Sequence, residues 1–284
     1  MMTKDKNYYK SILQNSTIVI KISGKIIANP KYLNNIINDI KNLILDITKI
    51  KIVLVFGFGI QLDNYIYNVN NKNSVKHNGR RITSNADIDA IKKISGELLI
   101  NLFSLFSKKN INSFPIPVSR KDLIIAKKRP IKNNIDYGNV GDIMGVNSIY
   151  LQNYFNNHDL IIMPSIVLDK ENSEILNVNA DTVATEIAVA LNANKLIFIS
   201  DVEYIIDQKG KRISSVNENE INQLIKNKII KNGMIVKVQN AFDALKRGIE
   251  KVHLIGGTKK NCLLDELNTE NGVGTVFEKQ YVEY

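Results

Sequence analysis

The chain has 284 residues, 44% hydrophobic and 23% charged, the proportions of a globular protein long enough to bury a large core, which excludes fibres and wholesale disorder. One cysteine, Cys262, and three scattered histidines, His77, His158 and His253, exclude a disulfide framework and a Cys/His metal cluster. The net charge of +10 raises a nucleic-acid surface, but the basic residues are spread along the chain without interleaved aromatic stacking platforms, so a solvated lysine surface is the better reading.

The N-terminus lacks the apolar stretch of a signal peptide, and no apolar run is long enough to span a membrane. A cytoplasmic location is expected. Short apolar runs alternate with longer segments of helical period, the pattern of an α/β fold with a mostly parallel sheet. Lys6 to Gln14 reads as a short helix, marginal unless packed. A strand follows at Thr17–Ile22, then a helix from about Lys31 to Leu45 and a strand at Ile52–Val55. A long amphipathic helix runs from Ser84 to about Phe106, and Ile111 to Val118 reads as a strand. Residues 121–141 are polar and turn-rich, consistent with hairpins crossing the sheet edge. Leu160–Pro164 is a buried strand, Asn179–Leu191 a helix, and Leu196–Ile199 another buried strand. Helices over Glu218–Asn227 and Met234–Ile249 precede a final strand at Val252–Ile255. A seam between two lobes is expected near Asn172–Asn179.

Four places carry chemistry-bearing residues. Lys21 ends the first strand, in Lys21-Ile22-Ser23-Gly24-Lys25, and ligands of open parallel sheets bind beyond the carboxyl ends of strands. Position alone also fits a solvated edge charge. In Val55-Phe56-Gly57-Phe58-Gly59-Ile60-Gln61, two glycines between a strand and a helix let the backbone present N–H groups to an anion, or simply form a tight turn. Asn177, Asn179 and Asp181, in Leu176-Asn177-Val178-Asn179-Ala180-Asp181-Thr182, exceed what one helix cap needs. An aspartate there could hold neighbouring lysines in place. Lys237, in Asn232-Gly233-Met234-Ile235-Val236-Lys237, stands one turn into a helix, from which it can reach a phosphate or face solvent.

Taken together and in order, these motifs resemble the amino-acid kinase family, most closely its acetylglutamate kinases. Lys21 to Gly24 is similar to the family's Lys-x-Gly-Gly, and Phe56 to Gly59 to its His-Gly-Gly-Gly turn. Gly79-Arg80-Arg81-Ile82-Thr83 resembles Gly-x-Arg-Val-Thr. Asn177 to Asp181 matches Asn-x-Asn-Ala-Asp, and Asn232 to Lys237 resembles Asp-Gly-Met-x-x-Lys. Asp136 to Asp142 resembles a Tyr-Gly-x-Val-Gly hairpin, and Ser200-Asp201-Val202 a Thr-Asp-Val nucleotide loop. Gly59 to Asp63 and Tyr137 to Gly141 also look like the kinase domain of chains with a fused acetyltransferase. The resemblance spans Thr17 to Phe277. Departures are Ser23, Phe56, Phe58, Ile60, Arg120 and Tyr204.

The resemblance implies a three-layer α/β/α sandwich forming one domain, residues 16–284. An acyl-amino-acid lobe would occupy about 16–175 and a nucleotide lobe about 176–284. It implies ATP-dependent phosphorylation of the side-chain carboxylate of N-acetyl-L-glutamate, a step of arginine biosynthesis, with N-succinylglutamate as an alternative substrate. Lys21 and Lys237 would flank the transferring group, oriented by Asp181. Backbone N–H groups of Gly57, Phe58 and Gly59 would line the phosphoryl path. Arg81, Asn177 and Asn179 would hold the substrate. Asp201, Val202, Glu203, Tyr204, Ile205, Ile206, Ile229, Ile230 and Lys231 would contact ATP, with Mg2+ carried by the nucleotide and no protein metal site. The implied assembly is a homodimer, or a hexamer built through an N-terminal helix; no nucleic acid or membrane partner is expected.

Overall fold

The computed structural model describes residues 6–279 except 72, 78, 79, 132, 232 and 271. Gly79 and Asn232, both part of the motifs above, therefore lie outside the described residues. Along the chain come α1 (Lys6–Ile12), β1 (Thr17–Ile22), α2 (Gly24–Ile27), α3 (Pro30–Asp46), β2 (Lys51–Phe56) and α4 (Gly59–Asn70). A small hairpin of β3 (Lys76–His77) and β4 (Arg80–Arg81) leads into the long α5 (Asn85–Ser107). Then follow β5 (Ser113–Pro115), β6 (Ile124–Lys128), β7 (Gly141–Val146), α6 (Ser148–Tyr154), β8 (Leu160–Pro164), β9 (Ile166–Leu168) and β10 (Ile175–Asn177). The remainder is α7 (Ala180–Ala190), β11 (Lys195–Ser200), β12 (Ile205–Ile206), β13 (Arg212–Ile213), β14 (Ser215–Val216), α8 (Glu218–Lys226), α9 (Gly233–Lys246), β15 (Val252–Gly256), α10 (Cys262–Asn268) and β16 (Thr275–Phe277).

The main sheet runs β14-β16-β15-β11-β1-β2-β8-β5. It is parallel except where β16 meets β15. β1, rich in β-branched residues that suit a pleated strand, lies between β11 and β2, with Lys21 opposite Phe198 and Val55. The chain moves from β1 outward through β2 and returns later to place β11 on the other side. That reversal opens a crevice at the carboxyl ends of β1 and β11, the usual ligand position in such sheets.

Helices cover both faces, and the two-residue period of a strand assigns each side chain to one of them. Ile18, Ile20 and Ile22 pack with residues of α3, α4, α5 and α10. Val19 packs on the other face with residues of α7, α8 and α9. Lys21 has the parity of Val19, so it projects toward α7 and α9.

Three sequence expectations are corrected. Ile111–Val118 keeps strand pairing only at Ser113–Pro115, with a last bond from Ile116 N–H to Ile162 O at 2.8 Å before Pro117, which cannot donate to a ladder. The polar middle segment pairs with itself as the antiparallel β6–β7 ladder, reaching Val146, and forms a two-stranded sheet of its own. β15 is not the last strand: α10 and the antiparallel β16 follow, the latter three residues long and too short to show a period.

α10 borrows its start from another helix. Its own preceding residue, Asn261, makes no side-chain cap, and the buried Asp39 of α3 accepts the Leu263 N–H at 3.1 Å. Burial pushes the Asp39 carboxyl up to about 6, the like charge of Asp265 adding to it against the backbone hydrogen bonds. The folded state thus holds this proton more tightly than the unfolded chain. The resulting stabilisation is complete below about pH 4 and is lost as pH rises through about 6. Asn at position 39 keeps an acceptor for Leu263 and cannot ionise. Denaturant titrations should show wild type losing about 2 kcal/mol more than Asp39→Asn between pH 4 and pH 7. Parallel pH profiles for the two proteins would refute this.

Candidate active site

The first turn of α7 is set by Asn179, whose side-chain oxygen accepts the N–H groups of Asp181 and Thr182 at 2.9 and 3.1 Å. This cap points the Asp181 carboxylate back toward β1. Lys21 Nζ lies 2.8 Å from Asp181 Oδ1, and Lys237 Nζ lies 2.9 and 3.0 Å from the two carboxylate oxygens. The exposures of Lys21, Asp181 and Lys237 are 7, 6 and 6%. Beneath them, the fully buried ring of Phe198 faces the Lys237 ammonium, 5.0 Å from its centroid, a favourable cation–π placement.

Two ammonium groups against one carboxylate leave a buried excess of positive charge. Burial disfavours the charge on Asp181, but Lys21 and then Lys237 outweigh it and hold the carboxyl well below the usual range. For Lys237 burial is the largest influence; with the like charge of Lys21 it outweighs Asp181 and brings the ammonium down to about 8. Such a centre is electrostatically ready for an anion.

Lys21 and Lys237 open onto a cavity of about 620 Å³ at the carboxyl ends of the central strands. The N-terminus of α4 faces it through Gly57, Phe58 and Gly59. Phe58 caps α4 and Gly59 opens it, where N–H groups have no intrahelical partner. Gly57 adds no free donor, because its N–H binds Ile22 O at 3.0 Å. That corrects the expectation of three N–H groups. Phe58 sits at φ −131°, ψ 23°, so the turn needs no positive φ; its ring and that of Phe56 are buried in the α3–α5 core. Gly57 is small for another reason: a Cβ there would lie 3.3 Å from the Cβ of Ala180. Ser23 also lines the cavity, and its buried hydroxyl has no partner among the described residues.

At one end of the cavity Arg81 is held by Asp63 Oδ1 at 2.7 Å and Gly59 O at 3.1 Å, both through Nη2. Its Nη1 is buried and unpartnered. Asp63 also binds Lys76 at 2.7 Å and accepts the Ser74 hydroxyl. Asn177 donates to the Thr83 hydroxyl at 3.1 Å, leaving its oxygen free for another donor. Thr83 is locked in turn between Tyr137 and Asn139. Gly138 is required there, since at φ +68° a Cβ would fall 2.2 Å from Thr83 O. Asn179 lines the cavity too, but with its oxygen occupied by the α7 cap only its NH2 remains available.

The opposite end is bounded by Asp201, Val202 and Lys231. Asp201 pairs with Lys25 at 2.7 Å. The other residues expected near a nucleotide, Glu203, Tyr204, Ile205, Ile206, Ile229 and Ile230, do not line the cavity. Ile205 and Ile230 are buried in the core, and Glu203 pairs with Lys259 at 2.9 Å. Sequence reasoning missed Lys25, Asp63, Lys76 and Arg80 as cavity residues. For Asp63 a signal existed: it follows Gly59 by one helical turn, on the side of the Gly-rich turn.

Residues 16–256 match the profile of the amino acid kinase family. The chain belongs to that family. Among curated relatives, this amino acid kinase is 35% identical to an acetylglutamate kinase of Methanothrix thermoacetophila, covering 95% of this chain and 93% of the relative. It is 34% identical to one from a Hydrogenobaculum species, covering 90% of each. Its fold superposes with a TM-score of 0.88 on an N-acetylglutamate synthase from Neisseria gonorrhoeae complexed with coenzyme A and N-acetyl-glutamate, at 19% identity. The match covers 98% of this chain but only 63% of the synthase. A carbamate kinase from Giardia lamblia bound to AMP-PNP gives a TM-score of 0.64 at 14% identity. These last two likenesses speak to the fold.

Proposed function

We propose that this protein transfers the γ-phosphoryl group of ATP to the side-chain carboxylate of an N-acyl-L-glutamate, N-acetyl-L-glutamate being the reference substrate. The reaction would serve arginine biosynthesis. The observation that carries the reading is the convergence of Lys21 and Lys237 on Asp181 at the mouth of the sheet, in a family whose relatives above are named acetylglutamate kinases.

The chemistry fits what the cavity offers. A carboxylate oxygen attacks the γ-phosphorus, the bond to the β,γ-bridging oxygen breaks, and ADP leaves with the electron pair. The acceptor is already ionised, so no proton has to be removed. The cavity carboxylates Asp63 and Asp201 are both paired with cations, as is Asp181 behind the lysines. None is placed as a free general base, which suits a carboxylate acceptor better than a hydroxyl. Both reactants are anionic, so the protein's work is positioning and charge neutralisation. In this reading Lys21 and Lys237 stabilise the moving phosphoryl group and Asp181 holds them in register. The N–H groups of Phe58 and Gly59 line its path. Arg81 offers Nη1 to the α-carboxylate, a task suited to a guanidinium, and Asn177 offers its oxygen to the amide N–H. Asp201, Val202 and Lys231 border the nucleotide, with the segments 203–206 and 229–230 behind them. Mg2+ enters with ATP, held by phosphate oxygens. In the same reading residues 16–175 form the acyl-amino-acid half and 176–284 the nucleotide half.

Phe56 and Phe58, the departures that would favour a catalytically weakened binding relative, are buried in the α3–α5 core, so neither ring obstructs this reading. The test is acyl phosphate formation from ATP, trapped as a hydroxamate, with N-acetyl-L-glutamate, N-succinyl-L-glutamate and L-aspartate in parallel. Product from the acylglutamates is expected. No product from any of the three would overturn the kinase reading, and product from aspartate alone would move it to a different amino acid substrate.

A further inference from the structure

Most cations in the cavity wall have a carboxylate partner. Lys21 and Lys237 share Asp181, Lys25 has Asp201, and Lys76 and Arg81 share Asp63. Lys231 and Arg80 line the cavity with none among the described residues. Lys231 is exposed and lies at the proposed nucleotide end, where triphosphate charge would answer it. Arg80 is different. It is half-buried on β4 beside Arg81, and the charged groups that act on it, Arg129, Asp142 and Tyr137, lie in or next to the β6–β7 hairpin.

The charges around Arg80 do not neutralise it. Asp142 of the hairpin is already bound by Arg129 Nε at 3.0 Å. Arg129 in turn lies over the Tyr137 ring at 5.2 Å. Asp142 still favours the Arg80 charge, but burial and the like charge of Arg129 outweigh it. Burial, and after it the like charge of Arg129, pull the Arg80 pKa below its ordinary value; a guanidinium nonetheless stays protonated in a protein. A half-buried guanidinium without a partner is costly to keep unless something anionic binds it.

The proposed substrate pose says which part of a ligand would meet it. With the side-chain carboxylate at Lys21 and Lys237 and the α-carboxylate at Arg81, the third arm of the glutamate α-carbon is the acylated nitrogen. Val140 and Arg80 line the same cavity as Arg81, and Arg80 is next to Arg81 on β4. An acetyl group would bring no charge to Arg80; an acyl chain ending in a carboxylate would. We propose that Arg80 is a specificity residue that selects an N-acyl-L-glutamate whose acyl group itself carries a terminal carboxylate, of which N-succinyl-L-glutamate is the simplest test compound. This rests on the kinase reading above.

The experiment compares N-succinyl-, N-butyryl- and N-acetyl-L-glutamate, where butyryl has the length of succinyl without its terminal carboxylate. In wild type, kcat/KM for the succinyl compound should exceed that for the butyryl compound by about ten- to a hundredfold, the worth of one charge-assisted hydrogen-bonded contact. The difference should lie in KM, because the contact forms equally in ground and transition states. In Arg80→Leu the succinyl-to-butyryl ratio should fall to about one, and Arg80→Lys should recover part of it. A ratio taken on one preparation cancels any loss of folded protein. Equal use of succinyl and butyryl compounds by wild type, or a preference that survives Arg80→Leu, would overturn the proposal while leaving the kinase reading intact. Calorimetry separates the reverse case: Arg80-dependent binding of N-succinyl-L-glutamate without turnover would keep the specificity assignment and remove the kinase.

Discussion

Lys237→Met should lower kcat by about a thousandfold, with a much smaller change in KM for ATP. The ammonium sits within 3.0 Å of both Asp181 oxygens and beside Lys21, so in the proposed reaction its charge acts where negative charge accumulates during transfer. Removing one preorganised donor of this kind typically costs 10² to 10³ in rate, about 2.7–4 kcal/mol, and the low-dielectric setting favours the upper end. Folding is the obvious confounder, and the charge arithmetic separates it. Lys237→Met leaves Asp181 paired with Lys21 and should fold well. Asp181→Asn leaves two buried ammonium groups without a counter-charge, which should destabilise the protein by about 3–5 kcal/mol. Combining the two changes removes one of those ammonium groups and should restore part of the lost stability without restoring turnover. Steady-state kinetics and denaturant melts on the three variants check this. Turnover of Lys237→Met within a few-fold of wild type would remove Lys237 from the chemistry.

Much of this arrangement was legible because it rests on short-range rules. An apolar strand interrupted by a lysine at its carboxyl end announces Lys21. Strand alternation then decides which face Lys21 uses, and the Asn179 cap brings Asp181 to that same face. What remained hidden depends on contacts between segments distant in sequence. That Gly57 gives its N–H to Ile22 O follows from how β1 and β2 lie side by side, and no property of the turn itself reveals it. Phe58 replaces a glycine that would have had no ring to place; only the packing of α3 to α5 shows room for one beneath the turn. The cap that Asp39 supplies to α10 joins residues 224 apart. Arg80 could be read as one more surface cation in a basic chain, since its lack of a partner among the described residues appears only once the nearby carboxylates have been assigned.

The second large effect is on the pH dependence. In the proposed reaction Lys237, brought down to about 8 by burial and by Lys21, must be charged to help neutralise the phosphoryl group. The plot of kcat/KM against pH, which reports groups of the free enzyme, should therefore have a basic limb near pH 8, falling about tenfold per pH unit above it. An unperturbed lysine would place the limb near 10. The Phe198 ring supplies part of what keeps Lys237 charged, since its face lies 5.0 Å from the ammonium and favours the cation. Phe198→Leu keeps an apolar side chain at this fully buried strand position but deletes the π face. A desolvated cation–π contact is worth roughly 1–2 kcal/mol, so the limb should move down by about one pH unit. Some stability will be lost to imperfect repacking, about 1 kcal/mol. That lowers the amplitude of the profile and not the position of its limb, so the position is the quantity to compare. NMR titration of the lysine ammonium signals gives the same quantity without turnover. A limb near 10 in wild type, or one that stays in place when Phe198 is replaced, would show that the ammonium is not poised in the way these contacts require.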